Sequence, residues 1–228
     1  MTLPEAVAAL KKGGTAQNRK VYVRHGVSGD MYGVSYALQK KLAKQAGTDQ
    51  DLAVALWATG NHDARVLASM VCDPTAFTSR ELDAMARELD NYVLADAFAN
   101  IVIRSGQAMK KFEAWKNRKS EFVSAAAWNI LTSQAMHDDT LTDAYCTEQI
   151  DLIAREIHRR PNRTRHSMNM ALISLGIRNP KLEKKARSAA KKIGKVEVDH
   201  GQTSCQTPDA AAYMTKTLAY RKKKAAKK

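Results

Sequence analysis

The 228-residue chain has little of what builds aromatic-rich sheets, disulfide scaffolds or membrane spans. Aromatic residues make up only 6% of it, although hydrophobic residues reach 44%. Alanine and leucine carry the apolar content, which favours closely approaching helices over a sheet. The three cysteines, Cys72, Cys146 and Cys205, are odd in number and far apart. That excludes a disulfide framework and a paired Cys-x-x-Cys zinc site, and the thiols are expected to be reduced. No apolar run approaches the roughly 18 residues that a membrane span needs. The N-terminal MTLPEAVAALKKGG has an acid where a secretion signal has its basic region. An intracellular protein with no membrane partner is expected. Acids are scarce as well: 23 against 37 Lys and Arg leave a formal charge of +14. A surplus of that size points to a polyanionic partner, nucleic acid before an anionic membrane surface.

What is present, from Ser35 onward, is helix punctuated by short breaks. In YVLADAFANIVI the pairs Val93/Leu94, Ala97/Phe98 and Ile101/Val102 recur every four residues, which predicts one buried face. ARVLASMV repeats the arrangement with Val66/Leu67 and Met70/Val71. Thr78-Ser79-Arg80-Glu81 has the spacing of a capping box, and Asn179-Pro180 and Thr207-Pro208-Asp209 each offer a side-chain cap followed by proline. Helices should start at all three places. Gly60 and Gly176 fall where apolar patterns end, as helix-terminating glycines do. Helical pairs are therefore expected over about 35–72, 78–104, 107–136, 141–176 and 180–195, with a last helix after 207. Pairs of similar length suggest stacked repeats, and an irregular helical bundle is the competing arrangement. Only Lys195 to Val198 alternates like a strand.

The charge is uneven. Between Arg159 and Lys195 stand twelve Lys and Arg against the single acid Glu183, and the closing YRKKKAAKK carries six more. A lysine-rich helix such as KLEKKARSAAKKIGK is ordinarily a solvated face. RRPNRTRH instead gathers arginines at a predicted helix start, where guanidinium forks and free amides suit a phosphate.

LWATGNHDARVLASMV (56–71) closely resembles the "LW-x-SG-x-HEARLLA" signature of the DNA alkylation repair family, the AlkD-like HEAT-repeat DNA glycosylases. Three further strings keep the family's order: MYGVSYALQKKLAKQ (31–45), DNYVLAD (90–96) and ALISLGIRNP (171–180). Together they span about residues 30–195. The resemblance implies an all-α fold, a curved α-solenoid of HEAT-like helix pairs, as one domain over 1–228 with a flexible basic tail at about 220–228. It also implies a basic concave face that takes duplex DNA, alkylated or branched, in the bacterial cytosol and nucleoid. The chain is expected to act as a monomer, with no obligatory protein partner and with neither metal nor cofactor. Active members excise N3- and N7-alkylated purines. A cationic alkylpurine is already a good leaving group, so a carboxylate need only stabilise oxocarbenium charge and position water.

Carried over residue by residue, the resemblance puts the catalytic acid on Asp96 and the aromatic one turn before it on Tyr92. Four residues apart, the two share a helix face. Arginine is expected next in a segment that here reads Glu121-Phe122-Val123-Ser124-Ala125-Ala126, so Ser124 and Ala125 stand in its place. A second expected aromatic falls on Met170. Arg118 and Arg165 are the candidates to supply the missing charge, and the DNA contacts are expected at Lys40, Lys41, Arg118, Lys119, Arg163, Arg165, Arg178, Lys222 and Lys223. Two functions stay open: an alkylpurine DNA glycosylase using Asp96 and Tyr92, and a non-catalytic binder of damaged or branched DNA. His62 is read as a capping-region residue, Arg65 as an interhelical ion-pair partner, and Trp57, Trp115 and Trp128 as core, with Trp115 also within reach of a nucleic acid.

KVEVDHGQTSCQTP (195–208) crowds Asp199, His200 and Cys205 together, which raises a third possibility, a hydrolase or redox centre. One Cys and one His leave zinc two ligands short, and adjacency in sequence does not make a nucleophile and base. The stretch reads instead as a connector that folds the final helix back onto the last repeat.

Overall fold

The thirteen α-helices of the described residues follow from local signals that recur along the chain. A side chain of Thr, Ser, Asn or Asp caps most helix starts, and apolar residues recur at helical spacing behind it. The computed structural model describes residues 1–226. The fold is all-α and built of helix pairs, and the described residues fall into two compact units.

The first unit comprises residues 1–107 with 200–204. Its helices are α1 (Leu3–Gly13), α2 (Ala16–Arg24), α3 (Tyr36–Ala46), α4 (Gln50–Ala58), α5 (His62–Val71), α6 (Ser79–Arg87) and α7 (Tyr92–Arg104). A capping box, Thr2 with Glu5, starts α1. Neither α1 nor α2 was expected from the sequence, where α2 in particular has no apolar stripe. α5 is the organiser, with α1, α3, α4 and α7 packed on it. Leu10, Leu56, Leu67, Leu94, Phe98 and Ile101 are fully buried there, each contributing about 1.5–3 kcal/mol by leaving water.

The second unit comprises residues 108–199 with 205 onward. It holds α8 (Ala108–Trp115), α9 (Glu121–His137), α10 (Asp143–Glu156), α11 (Asn162–Gly176), α12 (Pro180–Ile193) and α13 (Ala210–Ala225). α9 and α11 pack along each other, and α11 also touches α10, α12 and α13. Trp128, Phe112, Ile130, Leu131 and Ile150 are fully buried. α12 buries Leu182, Ala186, Ala189 and Ile193 and turns Lys184, Lys191 and Lys192 outward, the amphipathic pattern its sequence shows.

Helix limits match the expected pairs closely, and the Thr78 capping box and the Asn179 cap with Pro180 are both formed. Gly60 ends α4 with φ +71. Three local expectations are corrected. α13 is capped by Asp209, whose carboxylate accepts from Ala212 N, rather than by Thr207. Gly176 lies within α11: a Cβ there would stand 2.4 Å from Met214 Sδ and 2.7 Å from Ala186 Cβ, so the glycine serves close helix packing. Residues 195–198 form no strand; their extended backbone has no partner strand to complete a ladder. α13 continues as helix through Ala225, inside the segment expected to be a tail, and Lys227 and Lys228 lie outside the described residues.

Candidate nucleic-acid interface

Tyr92 opens α7, and Asn91 caps it by accepting from Leu94 N at 2.9 Å. Asp96 follows one turn later and is exposed, while Tyr92 is half-buried. Asn100 Nδ2 donates to the Asp96 carbonyl at 3.0 Å, which tightens the turn that presents the carboxylate. The Tyr92 hydroxyl is hydrogen-bonded to Nδ1 of His25, the residue that ends α2, and the two rings stand 5.9 Å apart. The ring of Tyr92 is thus oriented from outside its own helix. Nothing in the sequence pairs His25 with Tyr92.

The other acid of the motif strings has a structural task. Asp63, fully buried at the start of α5, accepts from the backbone amides of Tyr32 at 2.6 Å, Gly33 at 2.9 Å and Val34 at 2.8 Å. Its carboxylate gathers the 32–34 turn, where Gly33 has φ +80. Arg65 forms the expected interhelical ion pair, 2.5 Å from Glu88, and Glu88 also accepts from Trp57 Nε1 at 3.0 Å. His62 is the first residue of α5 and only 4% exposed, with its ring edge-on to Tyr22 at 5.3 Å. Burial pushes its pKa down, against the opposing pull of Asp63 and Asp90.

In the second unit, Ser124 and Ala125 occupy buried positions of α9, and the Ser124 hydroxyl donates to the Lys116 carbonyl at 3.0 Å, tying α9 to the end of α8. These are small packing positions, which accounts for the loss of arginine there. Met170 is half-buried on α11. The arginine-rich start of α11 is corrected in one respect: its amides are not free. The Glu121 carboxylate accepts from Arg163 N at 2.6 Å, and Thr164 donates its hydroxyl to the Glu121 carbonyl at 3.0 Å. An acid of the same chain therefore stands where the helix start was expected to receive a phosphate.

The cations expected to meet DNA divide by what already holds them. Lys40 and Lys41 are exposed on α3, with the Lys40 ammonium 4.9 Å from the Tyr36 ring centroid. Arg118 and Lys119 are exposed between α8 and α9, and Arg118 Nε donates only to the Ala114 carbonyl at 3.3 Å. Lys222 and Lys223 are exposed in the last turn of α13. Arg163 and Arg165 are half-buried, and Arg165 Nη2 reaches Asn162 Oδ1 at 3.5 Å. Arg178 is occupied by the fold: its guanidinium donates to the carbonyls of Ala135 at 2.7 Å, Asp138 at 3.1 Å and Leu141 at 3.2 Å, closing the α9–α10 connection. The three tryptophans are buried, Trp115 among them at 3% exposure with Lys111 over its ring, so its expected reach to a nucleic acid is not available.

The connector is held by α11. Asn162 bonds Asp199 in both directions, amide to carbonyl and side-chain oxygen to amide, each at 2.7 Å. His166 Nδ1 lies 3.0 Å from Thr207 Oγ1, and Asn169 donates to the Pro208 carbonyl at 2.9 Å. Asp199 and Cys205 belong to the second unit and His200 to the first. Among the described residues no group of three or more His, Cys, Asp or Glu is placed to hold a metal.

The comparisons with known proteins agree with the sequence strings. A family model described as "DNA alkylation repair enzyme" matches residues 6–214. Lin0241 of Listeria innocua is 31% identical over 205 residues, covering 86% of this chain and 88% of that protein. Lmo0209 of Listeria monocytogenes is 30% identical over 204 residues, with the same coverage. A solved structure described as "a new family of proteins related to the HEAT-like repeat DNA glycosylases with affinity for branched DNA structures" superposes with a TM-score of 0.88 at 26% identity, over 96% of this chain and 95% of that one.

Proposed function

Since the chain belongs to the DNA alkylation repair enzyme family, we propose that it binds DNA, damaged or branched, chiefly through the phosphate backbone, as a monomer in the bacterial cytosol. The observation that carries this reading is the set of exposed cations that the fold leaves uncommitted, Lys40 and Lys41 in one unit and Arg118, Lys119, Lys222 and Lys223 in the other, within a chain of net charge +14. Such contacts position a duplex and make binding salt-dependent without reading its sequence. The affinity for branched DNA described for the structural relative extends naturally to this chain, because a branch point is recognised by shape and charge. No helix among the described residues is long and apolar enough to cross a membrane.

Excision is the second reading, and the exposed Asp96 one turn from an oriented Tyr92 favours it. In that chemistry the bond from the deoxyribose C1′ to the alkylated base nitrogen breaks, the base leaves with the bonding pair, and water adds to C1′. Asp96 stabilises the developing positive charge and orients the water, and Tyr92 packs on the sugar. Ser124 and Ala125 weigh against it, since a bidentate phosphate contact worth about 1.5–3 kcal/mol is missing from α9.

Two measurements decide between these readings. Anisotropy with a labelled four-way junction and a linear duplex, over 50 to 200 mM salt, should show binding that weakens steeply with salt. Release of 7-methylguanine or 3-methyladenine by the wild type, abolished in Asp96→Asn, would establish the glycosylase; salt-sensitive binding without release establishes the binder. A chain that binds neither DNA at the lowest salt would end both readings.

A further inference from the structure

The second helix has a property that the sequence strings and the cation-rich C-terminal half do not account for. No residue of α2 (Ala16–Arg24) is buried, and the helix carries Arg19, Lys20 and Arg24 without a single acid. It is nonetheless firmly attached. Tyr22 donates its hydroxyl to the Val34 carbonyl, Arg19 Nη1 donates to the Tyr32 carbonyl at 3.0 Å, and the capping His25 is bonded to Tyr92. Asn18, Val21, Tyr22 and His25 form the inward side, half-buried. The outward stripe is Lys20, Val23 and Arg24, one turn of helix, with Val23 61% exposed.

A solvated helix face normally mixes charge signs so that residues four apart attract. Here Lys20 and Arg24 are a like-charged pair at that spacing, and among the described residues neither side chain forms an ion pair. The negative end of the helix dipole accounts for Arg24 in the last turn but not for Lys20 one turn earlier, nor for an exposed valine between them. The place is also specific: the C-terminal end of α2 is bonded through His25 to the first residue of α7, the helix that presents Asp96.

We infer that α2 is a DNA-contact element in its own right, in which Lys20 and Arg24 each hold a backbone phosphate beside the Tyr92–Asp96 face and Val23 packs against the intervening sugar. This rests on the DNA-binding reading above and extends it to a helix outside the resemblance strings. The phosphodiester backbone is the one occupant that satisfies a fixed stripe of two cations flanking an apolar side chain, since it offers charge at regular intervals with apolar sugar edges between.

The test is the full-length double variant Lys20→Ala, Arg24→Ala, titrated by anisotropy against the four-way junction and the linear duplex between 50 and 200 mM salt. An α6 pair, Arg80→Ala with Arg87→Ala, removes the same charge from an exposed helix of the same unit. Two lost phosphate contacts should make the slope of log K against log salt shallower by about 1.8 and lower affinity at least tenfold, with an unchanged melting curve. The α6 pair should leave the slope close to wild type. An α2 variant with the wild-type slope, or an α6 pair with an equal loss, overturns the inference while leaving DNA binding intact. A wild type that does not bind either DNA overturns both.

Discussion

The Tyr92 hydroxyl and the Nδ1 of His25 are hydrogen-bonded across 67 positions of sequence, and this one bond fixes both the ring at the candidate site and the end of α2. Either partner alone loses a part-buried polar contact. His25→Ala and Tyr92→Phe should each lower unfolding free energy by about 1 kcal/mol. In urea titrations the double variant should fall short of the sum by at least about 0.5 kcal/mol, because the two report one interaction. Full additivity would mean that the bond contributes nothing.

Asp63 and Asp96 look equivalent in the sequence strings and should behave oppositely. Asp63→Asn leaves three buried amides facing a weaker acceptor and a misplaced donor, and a loss of about 3 kcal/mol or more is expected. Asp96→Asn, on an exposed position, should stay within about 1 kcal/mol of wild type. Thermal melts of the two proteins side by side check this.

Arg178 and Arg118 make a similar contrast among the cations. Arg178→Ala strips three carbonyls at the α9–α10 connection of their donor and should cost about 2–4 kcal/mol of stability. Arg118→Ala should leave stability within about 0.5 kcal/mol and instead make the salt dependence of DNA binding shallower by about 0.9.

His62 sets a pH dependence. Its folded pKa lies below the ordinary 6.5 because burial penalises the charged ring. Below pH 6.5 the unfolded chain therefore takes up a proton that the folded chain refuses, so stability falls as pH drops and is restored as pH rises through 6.5. Urea unfolding from pH 7.5 to 5 should show the decline, at most about 1.4 kcal/mol per pH unit from this group. His62→Gln should flatten it; an unchanged slope in that variant would assign the effect elsewhere.

Gly176→Ala tests the packing of α13. The new methyl would meet the Ala186 Cβ and Met214 Sδ well inside contact distance. Methionine can swing aside, but an alanine Cβ moves only with α12. A loss of about 1–3 kcal/mol is expected despite the better helix propensity of alanine. Adding Met214→Ala should recover only part of it.

The α7 pattern of Leu94, Phe98, Ile101 and Val102 could be read directly because a buried helix face repeats every three to four residues whatever lies across from it. Helix starts at Thr78 and Asn179 were legible for the same reason: a cap is a contact between residues two or three apart. α1 and α2 escaped because α2 buries nothing and so writes no periodicity into its residues. Gly176 was read as a stop when it is a close approach between helices, which no local pattern distinguishes.

Sequence by itself determined the helical class, the family, the basic surplus and the pairing of Tyr92 with Asp96 on one face, since each depends on composition or on neighbours within a turn. Only the tertiary structure decided which charged groups remain for a partner. Asp63 is enclosed by the 32–34 amides, Glu121 stands at the start of α11, and Arg178 is closed onto three carbonyls, whereas Lys20, Arg24 and Arg118 face outward. Formal charge is a property of the residue, but its availability depends on donors and acceptors brought near from distant parts of the chain, and that is settled only when the chain folds.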